Sequence, residues 1–187
     1  MIHNDVLRSL RYILGVGESA LVDLVKLADP SFEIKADDFV AFLKKEDEPG
    51  YVLCPDAVMA RLLDGVVFQK RGKDDARPQR PFEKTVGNNL VLKKLRVAYE
   101  LKEVDLHAIL GLAEFPVSKP ELSALFRNPD HKNYRTCGDQ LLRNFLRGLA
   151  LRERGPSPAT NAEAPGQPKA EAAAPSDSDD ASDAASE

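Results

Sequence analysis

The feature that most restricts this chain is that it repeats itself. A shift of 85 residues lays Asn4, Val6, Leu7, Leu10, Arg11 and Leu21 over Asn89, Val91, Leu92, Leu95, Arg96 and Leu106. Past a two-residue deletion the shift is 83. It then places Asp47, Tyr51, Cys54, Asp56, Leu63, Gly65, Arg71 and Gly72 over Asp130, Tyr134, Cys137, Asp139, Leu146, Gly148, Arg154 and Gly155. Generic helical similarity repeats Leu and Val; it does not repeat Tyr-x-x-Cys-x-Asp. A duplication at this period implies two copies of one supersecondary unit.

Each copy reads as four short helices. The first has apolar residues at Val6, Leu7, Leu10, Ile13 and Leu14, matched by Val91, Leu92, Leu95, Ala98 and Tyr99. That spacing buries one helical face. The second runs near Ser19–Ala28 and Asp105–Ala113. The third, in the second copy, starts with a capping box of Ser118 and Glu121 and a staple of Val117 onto Leu122. The first copy keeps the staple as Ile34 and Phe39 but has Lys35 for the capping Ser. The fourth pairs Val58, Met59, Leu62, Leu63, Val66 and Val67 with Leu141, Leu142, Phe145, Leu146 and Leu149. Pro55 suits a first helical turn, and Gly15 and Gly17 suit the end of the first helix. No segment alternates with period two over any length, so the expectation is an all-α fold.

Composition sets the boundaries. Residues 156–187 hold seven acids and one base, a net of −6, with no Val, Leu, Ile, Phe, Tyr or Met. Nothing there offsets the entropy of ordering a chain, so a disordered acidic tail is expected. The remaining 155 residues carry 25 bases and 23 acids, a net of +2. Residues 71–86, polar and broken by Pro78 and Pro81, read as a linker between repeats at 1–70 and 87–155. No apolar run approaches the ~20 residues of a membrane span, the start lacks a signal-peptide pattern, and two cysteines are too few for a disulfide scaffold. A cytoplasmic setting with no membrane partner is expected.

Several longer runs carry a resemblance. LRSLRYIL, KKEDEPGYVLCPD, FQKRGKD, NNLVLKKLRVAYELK and PDHKNYRTCGDQLLRNFLRGL are similar to the bacterial YehS family, over essentially all of residues 1–155. The resemblance implies a duplicated helical domain in a bacterial cytoplasmic protein. It implies no particular chemistry, and no catalytic residue transfers with it.

The residues themselves offer few catalytic patterns. Cys54 and Cys137 stand at helix starts, where partial positive charge lowers a thiol pKa, but Asp56 and Asp139 oppose that effect. One Cys per copy suits repeated packing, so Tyr51, Cys54, Asp56 and Gly65, with Tyr134, Cys137, Asp139 and Gly148, read as repeat-equivalent structural positions. His3, His107 and His131 form no ligand pair and no Cys-x-x-Cys occurs. No phosphate-cradling glycine loop or nucleophile elbow is present. No catalytic residue, metal or cofactor is expected.

Charge separates the copies. The loop before the fourth helix, KKEDEPGY in the first copy, nets −1; its counterpart RNPDHKNYR nets +2. The last helix adds Arg143, Arg147, Arg152 and Arg154, where the first copy has a mixed stripe containing Arg61 and Asp64. Arg143, Arg147 and Arg154 fall on one side of a helix, and Arg suits forked contacts with phosphate or carboxylate. With Lys132 and Arg135 they form a candidate anion or nucleic-acid surface. Three functions are open at this point: a protein-binding adaptor or regulator, a nucleic-acid-binding module, and a Cys/His131-dependent enzyme. The adaptor or regulator ranks first, the nucleic-acid binder a close second and the enzyme a distant third, because no nucleophile–base–orienter set is visible. Protein or nucleic acid is the expected partner, with the oligomeric state open.

Overall fold

The computed structural model describes residues 1–74 and 80–155. These form α1 (His3–Leu14), α2 (Glu18–Ala28), α3 (Ala36–Leu43), α4 (Asp56–Arg71), α5 (Asn88–Ala98), α6 (Glu103–Leu112), α7 (Lys119–Ala124) and α8 (Asp139–Arg154). There is no strand among the described residues, and none of their helices is long and apolar enough to cross a membrane. The acidic stretch from residue 156 onward lies outside the described residues, as do 75–79.

Local signals account for the element ends. Gly15 takes φ 67° and its N–H returns to the Arg11 and Tyr12 carbonyls, closing α1. Glu100 occupies the matching position after α5 and takes φ 53° without being glycine, a left-handed conformation that costs a non-glycine residue free energy. Gly17 instead precedes α2 as its N-cap. At α7 the capping box is complete: Glu121 N–H donates to Ser118 Oγ, and Ser118 N–H to Glu121 Oε2 at 3.2 Å. α3 keeps only the return half, Lys35 N–H to Asp38 Oδ2 at 2.8 Å, because lysine has no acceptor to offer.

The helices bury the predicted faces. Val6, Leu7, Leu10 and Ile13 of α1 are in the core, as are Val91, Leu92, Leu95 and Ala98 of α5. The repeats do not stand apart as beads. α4 packs on α2 of its own copy and on α5 of the other; α8 packs on α6 of its own copy and on α1 of the other. One apolar cluster therefore runs through both copies. This exchange answers a size problem, since a four-helix unit of some 70 residues buries a small fraction of its surface alone.

Two repeated devices hold each copy together. The first is a close helix crossing. A Cβ on Gly65 would overlap the Leu24 carbonyl of α2, and one on Gly148 would overlap the Ile109 carbonyl of α6. Only glycine lets these backbones meet. The second is a buried asparagine. Asn4 donates to the Phe42 and Val52 carbonyls at 2.9 and 2.7 Å and accepts from Cys54 N–H at 3.0 Å. Asn89 repeats this with Leu125 and Arg135 carbonyls at 2.9 and 3.0 Å and Cys137 N–H at 2.8 Å. Each side chain ties the first helix of its copy to the segment that leads into the last one.

Candidate anion-binding cleft

The exchange of helices creates two equivalent seams, α4 against α5 and α8 against α1. Their side chains differ in charge. At the α4/α5 seam Asp64 pairs with Lys94, and Arg71 pairs with Glu100. The repeat register puts Arg147 and Ser9 where Asp64 and Lys94 stand, and Arg154 and Gly15 where Arg71 and Glu100 stand. Both carboxylates are thus missing from the α1/α8 seam. Comparing Arg8, Ser9, Tyr12, Gly15, Arg143, Arg147 and Arg154 with Lys93, Lys94, Val97, Glu100, Ala60, Asp64 and Arg71 makes the contrast plain. The first set holds four cations and no acid, with Asp5 of α1 pairing one of them, Arg8; the second holds three cations and two acids.

A shallow cleft of about 340 Å³ opens along the α1/α8 seam. Arg8, Ser9 and Tyr12 line one side, and Arg143, Leu146, Arg147 and Ala150 the other. Arg154 lies over the Tyr12 ring at 5.1 Å and against Gly15. Arg8 bonds Asp5 and the Lys44 carbonyl, the latter at 2.8 Å. Arg143 reaches Gln140 Oε1 at 3.5 Å, and its charge also acts on the Asp139 carboxylate. Arg147 is exposed and has no hydrogen-bond or ion-pair partner among the described residues. Arg11 and Arg152 are engaged elsewhere, with Glu18 at 3.0 Å and Asp105 at 3.3 Å.

The family profile described as "Protein of unknown function (DUF1456)" matches this chain twice, at residues 3–72 and 88–155. The chain belongs to that family. "Uncharacterized protein YehS" of Escherichia coli (strain K12) is 49% identical over 153 residues, 82% of this chain and 97% of the relative. No solved structure matches. The two matched segments coincide with α1–α4 and α5–α8, so the seam between α1 and α8 joins the two family repeats.

In this DUF1456 chain the other candidate residues are dispersed. Lys132 and Arg135 are exposed on the loop ahead of α8. The charge of Arg135 acts on Glu121 of α7, while its N–H donates to the Ala124 carbonyl at 3.2 Å. Neither residue lines the cleft. Arg61 does not correspond to Arg143; the register pairs it with Asn144, and Ala60 with Arg143. Its role is structural. It bonds Asp29 at 2.8 Å and lies between the Phe32 and Phe82 rings at 4.2 and 4.4 Å.

The repeated Cys and Asp positions are built into the fold. Cys54 and Cys137 are free and buried. Burial, aided by the neighbouring Asp56 and Asp139, pushes their thiols up to about 12 and about 11. Both stay protonated near neutrality, so neither is an activated nucleophile. His131 does not serve Cys137; its Nδ1 accepts the Asn133 N–H at 3.0 Å. Asp56 Oδ1 lies 2.8 Å from His3 Nε2 and accepts Val86 N–H at 2.7 Å, which holds its carboxyl below the ordinary range. Asp139 accepts from the Met1 amine and from Asn88, with the same result. Tyr51 and Tyr134 are half-buried and close the preceding turn through their N–H groups, onto the Glu48 and His131 carbonyls at 3.1 and 2.7 Å. Among the described residues, no three His, Cys, Asp or Glu side chains gather as a metal site would require.

Proposed function

We propose that this chain is a non-catalytic binding module whose α1/α8 cleft receives a polyanion, with the phosphate backbone of a nucleic acid as the ligand class that fits best. One observation carries the reading. Two equivalent seams differ so that one pairs Asp64 with Lys94 and Arg71 with Glu100, while the other holds Arg143, Arg147 and Arg154, which have no ion pair among the described residues, beside Tyr12 and the Asp5-paired Arg8. Guanidinium forks match phosphate oxygens, and a half-exposed tyrosine offers a face to a base. An acidic protein segment satisfies the arginines but makes no use of the aromatic ring.

Titration of labelled single-stranded and duplex oligonucleotides across a salt series tests this. Four phosphate contacts predict a slope of log K against log salt near −3. Arg143→Ala with Arg147→Ala removes two contacts and is expected to lower affinity and bring the slope to about −1.5. Lys26→Ala, an exposed cation on α2, is the control outside the cleft. Equal binding by the double variant removes the cleft from consideration. Preferential binding of a poly-glutamate peptide over oligonucleotides of equal charge would make the partner an acidic protein.

A further inference from the structure

The cleft holds an aromatic ring that the core does not need. The chain has no Trp, four Tyr and eight Phe, all among the described residues, and every one but Tyr12 is buried or half-buried. Tyr12 is 40% exposed and lines the cleft with the arginines. The repeat register puts Val97 at this place in the α4/α5 seam, where Asp64 and Glu100 pair Lys94 and Arg71. The exposed ring and the unpaired arginines therefore occur together in one seam and are both missing from the other. Gly15 adds to the contrast. A Cβ there would overlap the Arg154 guanidinium, which lies over the Tyr12 ring at 5.1 Å. The equivalent Glu100 instead takes Arg71 into an ion pair. Glycine in place of that acid leaves a guanidinium over a phenol ring, and a nucleobase stacks on either kind of surface.

We propose that Tyr12 makes the cleft selective for single-stranded nucleic acid, stacking one unpaired base while Arg143 and Arg147 hold the neighbouring phosphates. This rests on the polyanion reading above and narrows it to one kind of strand. A duplex keeps its base faces covered inside the helix. It presents phosphates and groove edges to the cleft, but nothing that lies flat on a ring. A single strand can turn a base out onto an aromatic side chain. The size of the cleft agrees. At about 340 Å³ it is near the lower end of ligand-sized cavities, with room for one nucleotide of a strand. The charge of the cleft also agrees, because it is moderate. Arg8 is held by Asp5, and the Asp139 carboxylate lies in the field of Arg143. A surface that reads charge alone favours the duplex, whose phosphates are the denser, at about one charge per 1.7 Å of axis. Preference for the single strand is therefore a signature that phosphate contacts alone do not produce.

Three probes separate the ring from the arginines: a short mixed-sequence DNA strand, its duplex, and the same strand with an abasic site at every position. The abasic strand keeps the phosphates and loses the bases. The full chain is expected to bind the intact strand roughly ten-fold more tightly than the abasic one, the effect of one stacked base, and more tightly than the duplex. Tyr12→Leu should bring the intact strand down to the abasic level and leave the salt dependence unchanged. Tyr12→Phe should keep the full affinity, since the ring and not the hydroxyl is at work. A thermal melt checks that Tyr12→Leu folds, and the abasic comparison needs no variant at all. Duplex bound as tightly as the single strand, equal binding of intact and abasic strands, or full affinity in Tyr12→Leu would each overturn the inference. Salt-sensitive binding that still depends on Arg143 and Arg147 would in those cases leave the polyanion reading standing. Binding indifferent to salt and to both arginines would remove that reading, and the selectivity with it.

Discussion

Replacing Asn4 by alanine is the most informative single perturbation of this fold. The change removes three hydrogen bonds at once, to the Phe42 and Val52 carbonyls and from Cys54 N–H. Two of those bonds are buried and the one to Val52 is part-buried. Leaving a buried backbone group unpaired costs about 1–3 kcal/mol. Two such groups, with water relieving the third, give an expected loss of roughly 3 kcal/mol. Alanine recovers only a few tenths through helix propensity, because Asn4 sits in the first turn of α1. Asn89→Ala supplies the internal comparison. Its geometry is the same, but Asn89 is 9% exposed against 0% for Asn4. Water reaches the second site more easily, so its loss should be smaller, about 2 kcal/mol. Urea denaturation with circular dichroism gives both values, and the slope of the transition reports whether unfolding stays two-state. In a domain of this size each kcal/mol lowers Tm by some 2–4 °C, so Asn4→Ala should melt roughly 10 °C early. A cost below 1 kcal/mol for Asn4→Ala, or a larger cost for Asn89→Ala, would refute the view that these side chains hold the fold through their backbone partners.

Other consequences are simpler to check. Gly65→Ala and Gly148→Ala should each destabilise by about 1–3 kcal/mol in thermal melts, because overlap with a helix carbonyl outweighs the ~1 kcal/mol gained in helix propensity. Gly111→Ala, where an added Cβ meets nothing within 4 Å, should instead stabilise slightly. An aromatic disulfide reagent at pH 8 should find no reactive thiol in the native protein and two after denaturation; rapid native reaction would mean that Cys54 or Cys137 is not buried as described. The carboxyls of Asp29 and Asp56 are held below their ordinary range, by Ser31 with Arg61 and by His3 with the Val86 N–H. A depressed folded-state pKa contributes stability that is present above the unfolded value, about 3.9, and is lost as pH falls through the folded value. Tm should therefore drop below about pH 4, and Asp29→Asn should flatten that acid limb.

Much of the fold is legible in the sequence because its signals are local or repeated. Helical periodicity marks the buried faces of α1 and α5. Ser118 and Glu121 mark the start of α7 within four residues. The identity of Gly65 with Gly148 and of Cys54 with Cys137 marks them as structural before any contact is known. The asparagine bonds were out of reach by the same logic. Asn4 and Asn89 stand out as repeated polar residues beside an apolar stripe, but their partners lie 36 to 50 residues away. The cleft was half legible. The Arg143–Arg147–Arg154 stripe follows from spacing along α8 alone. Arg8 and Tyr12 join it only because α1 packs on the last helix of the other copy, and no periodicity encodes that exchange. Lys132 and Arg135 show the converse failure. They are near Arg143 in the chain, but the loop carries them away from the cleft.

A duplicated fold provides its own comparison, and the comparison separates architecture from use. Positions under the same packing demand stayed the same: the asparagine, the cysteine it holds, and the glycine at each helix crossing. The demand is physical, since only glycine clears a carbonyl in van der Waals contact and only a side chain with both donor and acceptor closes the Asn4 arrangement. The seams face no such demand at their surface, and there the copies part. Loss of a cation along with each lost acid would have kept the α1/α8 seam neutral. Instead Arg147 replaces the acid at the position of Asp64, and Arg154 keeps its charge although its acid partner has become Gly15. Arg143 and Arg147, one turn apart on α8 and without an ion pair among the described residues, repel one another. Their concentration on one face is therefore costly to the fold alone, and in the function proposed above a polyanion that supplies negative charge there turns that cost into affinity.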